Sequence, residues 1–438
     1  MTRKLWGTTG LTFFCFLSFA ASARAEVPLV KVGDGWEVYT SGRIGAFLEL
    51  LKGTGVPIVY DANGVPLHPV GNGGIVAQTD PVVVNGTTRP GPLLSFRVRS
   101  GFLGNILGFG VRRQLTENTT VSGFISIWGT AETDSGRTFF KNFADEREGY
   151  LKVEGPAGSL LVGRALSLFS RGATEIDFLY GHGFAVGNPA GFDTAGPSAG
   201  HIGYGVLANV FVAGATYATP RFHGLQLTAG YYDPARLVGL YWTRSKLGRP
   251  EAEATYDALI GELARLHLFL NGAWQKVYAT DVPRSANVYG GGAGGRLEVG
   301  RVHLGIAGHY GQGLGVHYTL DGSDAVLNQY TTQRLRKFDG AYVQSQVVLT
   351  SKVDVSAGWG ITRVHKLAED YDPANNDPNT MQPRISFLRS QMGISGVVVY
   401  HASSYLHFAA DYFRADVRWW LGEEQVVHGF NLGSTLVW

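Results

Sequence analysis

From residue 26 onward the chain alternates apolar and polar residues, and the apolar side of the repeat is the continuous one. In Val353 to Arg363, Val353, Val355, Ala357, Trp359 and Ile361 point one way, and Asp354, Ser356, Gly358, Gly360 and Thr362 the other. Leu225 to Tyr231, Tyr405 to Phe413 and the segment ending at Trp438 repeat the pattern. In Trp36 to Glu49, Val38, Ile44, Ala46 and Leu48 oppose Tyr39, Ser41, Arg43 and Glu49. A period of two puts successive side chains on opposite faces of a strand. Past residue 25 no stretch approaches 18 uncharged apolar residues, so no membrane-spanning helix is encoded there. The 61 glycines also weigh against long helices, since each costs about 1 kcal/mol in a helix interior. If such a chain enters a membrane, it does so as a closed barrel, because only closure pairs every strand edge.

A soluble sandwich would alternate too, with its apolar face inward. The connections decide against it. Short turns at Leu115 to Thr120, Gly155 to Gly158, Pro220 to Gly224, Thr350 to Lys352 and His401 to Ser404 alternate with long stretches. The long ones include Leu50 to Pro92, Leu168 to Tyr204, Gly311 to Leu335 and Leu367 to Pro383. Short turns on one rim and long loops on the other belong to transmembrane antiparallel β-barrels. Aromatic girdles are expected at Trp36, Trp128, Tyr150, Trp242, Trp359, Trp419, Trp420 and Trp438. Sixteen strands are expected, centred near residues 43, 103, 126, 150, 162, 212, 228, 256, 272, 295, 307, 343, 358, 392, 411 and 432. Leu259 to Arg265 reads equally as a helical turn, which would change the count by two.

Residues 1–25 read as a secretory signal, with Arg3 and Lys4 before an apolar run and Ala23-Arg24-Ala25 as the cleavage site. The barrel would then occupy 26–438. Cleavage removes the lone cysteine, Cys15, so the mature chain has neither disulfides nor a thiolate metal site. It leaves 34 basic against 35 acidic residues, a balance that argues against nucleic-acid binding as the main purpose.

Three passages resemble the trimeric, sixteen-stranded general porins of Gram-negative bacteria. Glu148 to Arg164, with its Gly155-Pro156-Ala157-Gly158 turn, looks like the family's fourth and fifth strands. Tyr217-Ala218-Thr219-Pro220-Arg221-Phe222-His223-Gly224-Leu225 looks like the passage after the family's constriction loop, with Thr219 for Ser and Leu225 for Phe. Leu436-Val437-Trp438 is similar to the terminal aromatic signal read by the barrel-assembly machinery, and Phe430 belongs to the same apolar face. The resemblance implies outer-membrane localisation, a homotrimer, contact with outer-membrane lipid and lipopolysaccharide, no cofactor, and passive diffusion of small hydrophilic solutes and ions rather than catalysis. It also implies that the third long loop, Leu168 to Tyr204, folds into the pore and faces basic residues on the wall. Glu175 and Asp177 are the acidic candidates, and Arg43, Arg97, Arg99 and Arg164 the basic ones. A charge on the lipid face near mid-bilayer costs about 2–4 kcal/mol, so these arginines are expected to point inward.

Two alternatives stay open. A channel selective for sugars or anions would carry an aromatic track, for which Phe178 and Tyr180 are available, or an arginine cluster. A barrel enzyme would need a nucleophile set, and His303, His309 and Asp321 carry no recognisable arrangement. Gly290-x-Gly292-x-x-Gly295 fits a dinucleotide fingerprint without its following helix, and reads better as a small-residue strand against a subunit or loop. Asp370, Asp372, Asn376 and Asp377 suit a hard cation such as calcium, without the bidentate Glu and spacing of an EF-hand.

Overall fold

Sixteen antiparallel strands close on themselves in the computed structural model. It describes residues 26–55, 58–60, 66–69, 82–84, 87–89, 92–100, 104–129, 144–181, 200–234, 242–243, 247–279, 285–316, 335–367, 388–420 and 422–438. The signal segment and the Asp370, Asp372, Asn376 and Asp377 run lie outside these residues.

In chain order the strands are β1 (Trp36–Thr54), β2 (Pro92–Arg99 and Asn105–Thr116), β3 (Thr119–Gly129), β4 (Ala144–Gly155), β5 (Gly158–Leu166), β6 (Phe211–Ala218), β7 (Leu225–Tyr232) and β8 (Trp242–Thr243 and Arg249–Ile260). They continue as β9 (Ala264–Ala279), β10 (Ser285–Val299), β11 (Val302–Gln312), β12 (Lys337–Thr350), β13 (Val353–Val364), β14 (Leu388–His401), β15 (Leu406–Trp419) and β16 (Glu424–Val437). The two pieces of β2 form one strand because both pair with β1, Pro92–Arg99 along its upper half and Asn105–Thr116 along its lower half. The Asn105 side chain bridges the break by accepting the Gly45 N–H at 2.8 Å. Closure runs from Arg43 opposite Val437 to Gly53 opposite Val427. The N-terminal segment Val27–Val32 then pairs with Val38, Glu37 and their neighbours below the end of β16. Among the described residues each of the sixteen barrel strands pairs with a neighbour on both sides, as a membrane demands.

Fifteen of the sixteen expected strand centres fall on these strands, and the one near 103 falls between the two pieces of β2, outside the described residues. Leu259 to Arg265 is a tight turn between β8 and β9, not a helix. This turn and the one joining β10 to β11 leave only short turns on that rim, whereas the other rim carries the long stretches together with two short connections, 280–284 between β9 and β10 and 420–423 between β15 and β16, so the expected alternation of short and long is not strict.

The outer face is the continuous apolar one. Ile44, Leu48, Leu50, Phe96, Val98, Leu151, Leu227, Ile306, Ile394, Phe408, Phe430, Leu432 and Leu436 are all exposed there. Trp36 and Trp359 are exposed on it as expected. Trp128 and Trp419 are not girdle residues: both are buried inside the barrel. Their position in the alternation explains it, since Trp419 follows Phe413, Ala415 and Val417 on the inner face of β15. Trp242 has no described side chain.

The inner face departs from a purely polar lining. Phe47, Leu51, Leu93, Val397, Val399, Phe413 and Val427 point inward and are buried. Period two separates two faces but does not say which apolar residues another segment will cover. The covering segment here is a loop.

Candidate functional site: a loop stitched into the barrel

Between β5 and β6 the chain turns into the lumen. It forms two short helices, α1 (Arg171–Glu175) and α2 (Phe178–Gly181), and returns through residues 200–210. Leu168, Phe169, Ile176, Leu179, Ile202, Tyr204, Val206 and Leu207 are all buried. Leu179 packs with Phe47, Val397, Val399 and Ala409, so α2 reaches the wall at β1, β14 and β15. Tyr204 packs with Leu51, Leu93, Phe413, Ala415 and Val427. Ala173 and Ile176 pack with Trp128, Phe269, Ala307 and Tyr342. One loop therefore touches the wall on both sides of the lumen. Leu314, Val316 and Leu335, from the connection between β11 and β12, add a second apolar cluster with Phe169, Leu207 and Trp419.

Glycines on the inner wall make this docking possible. A Cβ at Gly290 would crowd Leu314 and Phe169, one at Gly358 would crowd His201, and one at Gly360 would run into the Tyr204 carbonyl. Of Gly290, Gly292 and Gly295, Gly290 is a seat for loops, while a Cβ at Gly292 or Gly295 would meet the neighbouring strands. Gly360→Val is expected to unseat the Tyr204 limb, because overpacking against backbone costs about 1–3 kcal/mol or more. Faster proteolysis of the loop in an intact barrel is the measurement that checks it.

Polar groups complete the attachment. The Gln344 side chain accepts the Phe178 N–H at 2.8 Å and also donates to the Ile176 carbonyl. Tyr342 donates its hydroxyl to the Ala173 carbonyl at 2.6 Å. Glu251 accepts the Phe169 N–H at 2.7 Å, and Thr362 accepts the Gly205 N–H at 2.9 Å. Arg171 reaches Glu253 on β8 through Nε at 2.9 Å. Buried polar groups of this kind stay satisfied only while the loop is seated.

Asp177 is not a lumen charge. It is buried between the two helices and closes the base of the loop. Its carboxylate accepts the N–H of Leu179 at 3.0 Å and that of His201 at 2.8 Å. The His201 ring sits 3.1 Å from it through Nδ1 and stacks on Tyr342 at 4.5 Å. A carboxylate in a glycine-rich loop suits either role, and its partner 24 residues away leaves no local pattern.

Glu175 remains partly open to water, 3.8 Å from Arg171. Burial pushes its carboxyl up to about 7 despite the nearby Arg171 charge. Arg43, Arg97 and Arg99 face inward, as their alternation with Ile44, Phe96 and Val98 requires. Arg97 stays partly open, while Arg43 and Arg99 are buried, Arg99 pairing with Glu49 at 3.3 Å. The neighbouring inner residues Asp411 and Asn431 are joined at 2.6 Å. Sequence reasoning left Glu49, Glu253, Gln344 and His201 out of the site, although their alternation places all but His201 on the inner face.

Arg164 corrects an expectation. It shares the outer face of β5 with Leu160 and Val162, and stands opposite Ala213 on β6. It lies near the strand's upper end, where a lipid-facing charge costs only about 0–1 kcal/mol. The mid-bilayer argument therefore does not reach it. Phe178 is buried 5.9 Å from the His303 ring rather than lining an aromatic track; the Tyr180 side chain and Asp321 lie outside the described residues. His303 bonds Gln346 at 2.8 Å, and His309 bonds the Gly205 carbonyl at 3.2 Å.

No protein-family model matches the sequence, and no curated protein matches it. Solved structures do. The outer membrane channel DcaP of Acinetobacter baumannii is 12% identical with a TM-score of 0.63, covering 94% of this chain and 100% of its own. An anion-selective porin from Comamonas acidovorans is 13% identical with a TM-score of 0.57, covering 92% and 100%. The trimer form of OmpT, an outer membrane protein of Vibrio cholerae, is 13% identical with a TM-score of 0.52, covering 92% and 100%. At these identities the likeness is one of fold.

Proposed function

We propose that this chain is an outer-membrane porin, a homotrimeric channel through which small hydrophilic solutes and ions diffuse passively. The observation that carries the reading is a closed sixteen-stranded barrel whose loop between β5 and β6 is seated inside it. Barrels of this strand number are too wide for wall side chains to fill, and leave an aqueous channel. A seated loop narrows that channel to a constriction. Arg97 on the wall and Glu175 on the loop are the open charges proposed to set its field, with the buried Arg43 and the Glu49-paired Arg99 behind them, and in that field polar solutes orient while apolar ones lose water without compensation. A fixed loop makes the constriction a sieve rather than a gate. The names of the similar structures, a channel, an anion-selective porin and a trimer, agree with this reading. Phe430 and Leu436 on the outer face of β16, with Trp438 just past its end, are proposed as the assembly signal.

Swelling of liposomes loaded with the purified protein tests the function. Rates are expected to fall steeply and smoothly with solute size. The inward arginines favour one second reading, an anion-selective channel; saturation of the rate by a single anionic solute would replace the first reading with it.

A further inference from the structure

At the end of the barrel that carries the short turns, three inward side chains of β13, β14 and β15 are joined in a row. Asp354, His401 and His407 alternate with the outward residues and share the inner face with Ser356, Val399 and Ala409. His401 stands directly opposite His407 on the last rung of the β14–β15 hairpin. The turn beneath them is fixed, because the Ser403 hydroxyl accepts the Leu406 N–H at 3.0 Å. The His401 backbone N–H reaches the Lys352 carbonyl at 2.8 Å. Val399 and Ala409, one step deeper, pack with Leu179 of the seated loop. Apolar contacts therefore roof the row, and water reaches it through His401, whose side chain is 27% exposed.

The hydrogen bonds leave this row incomplete. His401 Nε2 donates to the Asp354 carboxylate at 3.0 Å, so Nδ1 of the neutral ring carries a lone pair. That Nδ1 lies 2.8 Å from Nδ1 of His407, and the proton between them must come from His407. His407 Nε2 then bears no proton, and it is buried without a hydrogen-bond partner. So is the hydroxyl oxygen of Thr435, directly opposite His407 on β16. Because Nδ1 points to β14, Nε2 across the ring points toward β16. A proton on Nε2 would therefore satisfy His407 and Thr435 together. That tautomer leaves two Nδ1 lone pairs facing one another, and only a cation between them can hold them there. Two nitrogens bonded to one ion at about 2.0–2.1 Å sit about 2.8–3.0 Å apart at a right angle and about 3.3 Å apart in a tetrahedron. The spacing here is that of adjacent ligands in a tetragonal shell, the preference of Cu(II). The rings stand edge to face at 81°, and a turn of each aims both lone pairs at one ion. A carboxylate behind a ligating imidazole, as Asp354 stands behind His401, fixes its tautomer. Arg43 acts on His407 and opposes added positive charge there, and Asp354 offsets it.

We infer that His401 and His407 together bind one divalent transition cation of the Cu(II) class through their Nδ1 atoms, with Asp354 and Thr435 fixing the two tautomers. Among the described residues no three ligating side chains converge on one point, so the protein supplies two ligands and water the others. Binding releases no proton, since the one between the rings moves to Nε2 of His407. The site uses the channel reading only to name its end of the barrel as the periplasmic mouth.

The test titrates the full, untagged mature chain in detergent, stripped by chelator, with Cu(II) alone as probe. Calorimetry is expected to show one site per chain, and electron paramagnetic resonance a spectrum split by two nitrogens. Substituting His401→Ala and His407→Ala together should weaken binding about tenfold or more and erase the two-nitrogen splitting. Asp354→Asn should weaken binding about tenfold and keep the splitting, as loss of a carboxylate behind a ligand does. His428→Ala, a histidine bonded to Tyr412 on the outer face, should change neither. Migration of the unheated protein as a compact species reports an intact barrel; if the double variant fails to fold, His401→Gln alone should leave splitting from one nitrogen. Absence of a site at one per chain would overturn the inference. So would a folded double variant with the wild-type spectrum, or an equal loss in His428→Ala. A protein that binds Cu(II) in the expected pattern yet conducts nothing would keep this site and remove the channel reading.

Discussion

Asp177→Ala raises single-channel conductance and open-channel noise while the barrel remains folded. The substitution removes the acceptor shared by the Leu179 N–H, the His201 N–H and the His201 ring. Each buried donor left unpaired costs about 1–3 kcal/mol, so the loss of the acceptor for three of them costs the seated loop about 3–9 kcal/mol against its unseated state. None of those groups belongs to a strand ladder, so the barrel's closure is untouched. Asp177→Asn, which keeps one acceptor oxygen, should fall between the variant and the wild type. His201→Ala should raise noise as well, since it removes the ring stacked on Tyr342. A variant with wild-type conductance and noise would show that the clasp does not hold the constriction.

Ion preference should change between about pH 6 and 8, and Glu175 should be the cause. Burial raises its carboxyl from the ordinary 4.5 to about 7. Above that value the carboxylate is charged and favours cations at the constriction; below it the site is neutral and the inward arginines dominate. Reversal potentials in a salt gradient should therefore move toward anion preference on acidification. The linked stability has the opposite sign from that of a paired carboxylate. A carboxyl with a raised folded value binds its proton more tightly when the loop is seated, so seating is most favourable below pH 4.5 and weakens as pH rises through about 7. Glu175→Gln should abolish the pH dependence of selectivity. A pH titration of that variant that matches the wild type would assign the effect to another group.

The barrel was legible because its physics is repetitive. Lipid outside and a mixed interior force a period of two on every strand, and short turns mark one rim of the barrel. Even the weak strands near 212 and 256 followed from that bookkeeping. The site was less legible because its determinants are not periodic. Phe47 and Phe413 look like ordinary alternation failures until a loop covers them. Gly358 and Gly360 look like weak strand residues until His201 and Tyr204 need their space. Asp177 and Glu175 lie two residues apart in the same loop, yet one closes a buried clasp and the other stays partly open. Arg164 failed for a simpler reason: the cost of a lipid-facing charge depends on depth, and alternation carries no depth.

Single-channel recording of the purified, refolded protein in a planar bilayer tests the account most directly. Discrete, long-lived steps in groups of three, smaller than those of an unobstructed barrel of this strand number and enlarged by Asp177→Ala, are the predicted result. A correctly folded protein that inserts into the bilayer and produces no steps, with or without that substitution, would contradict it.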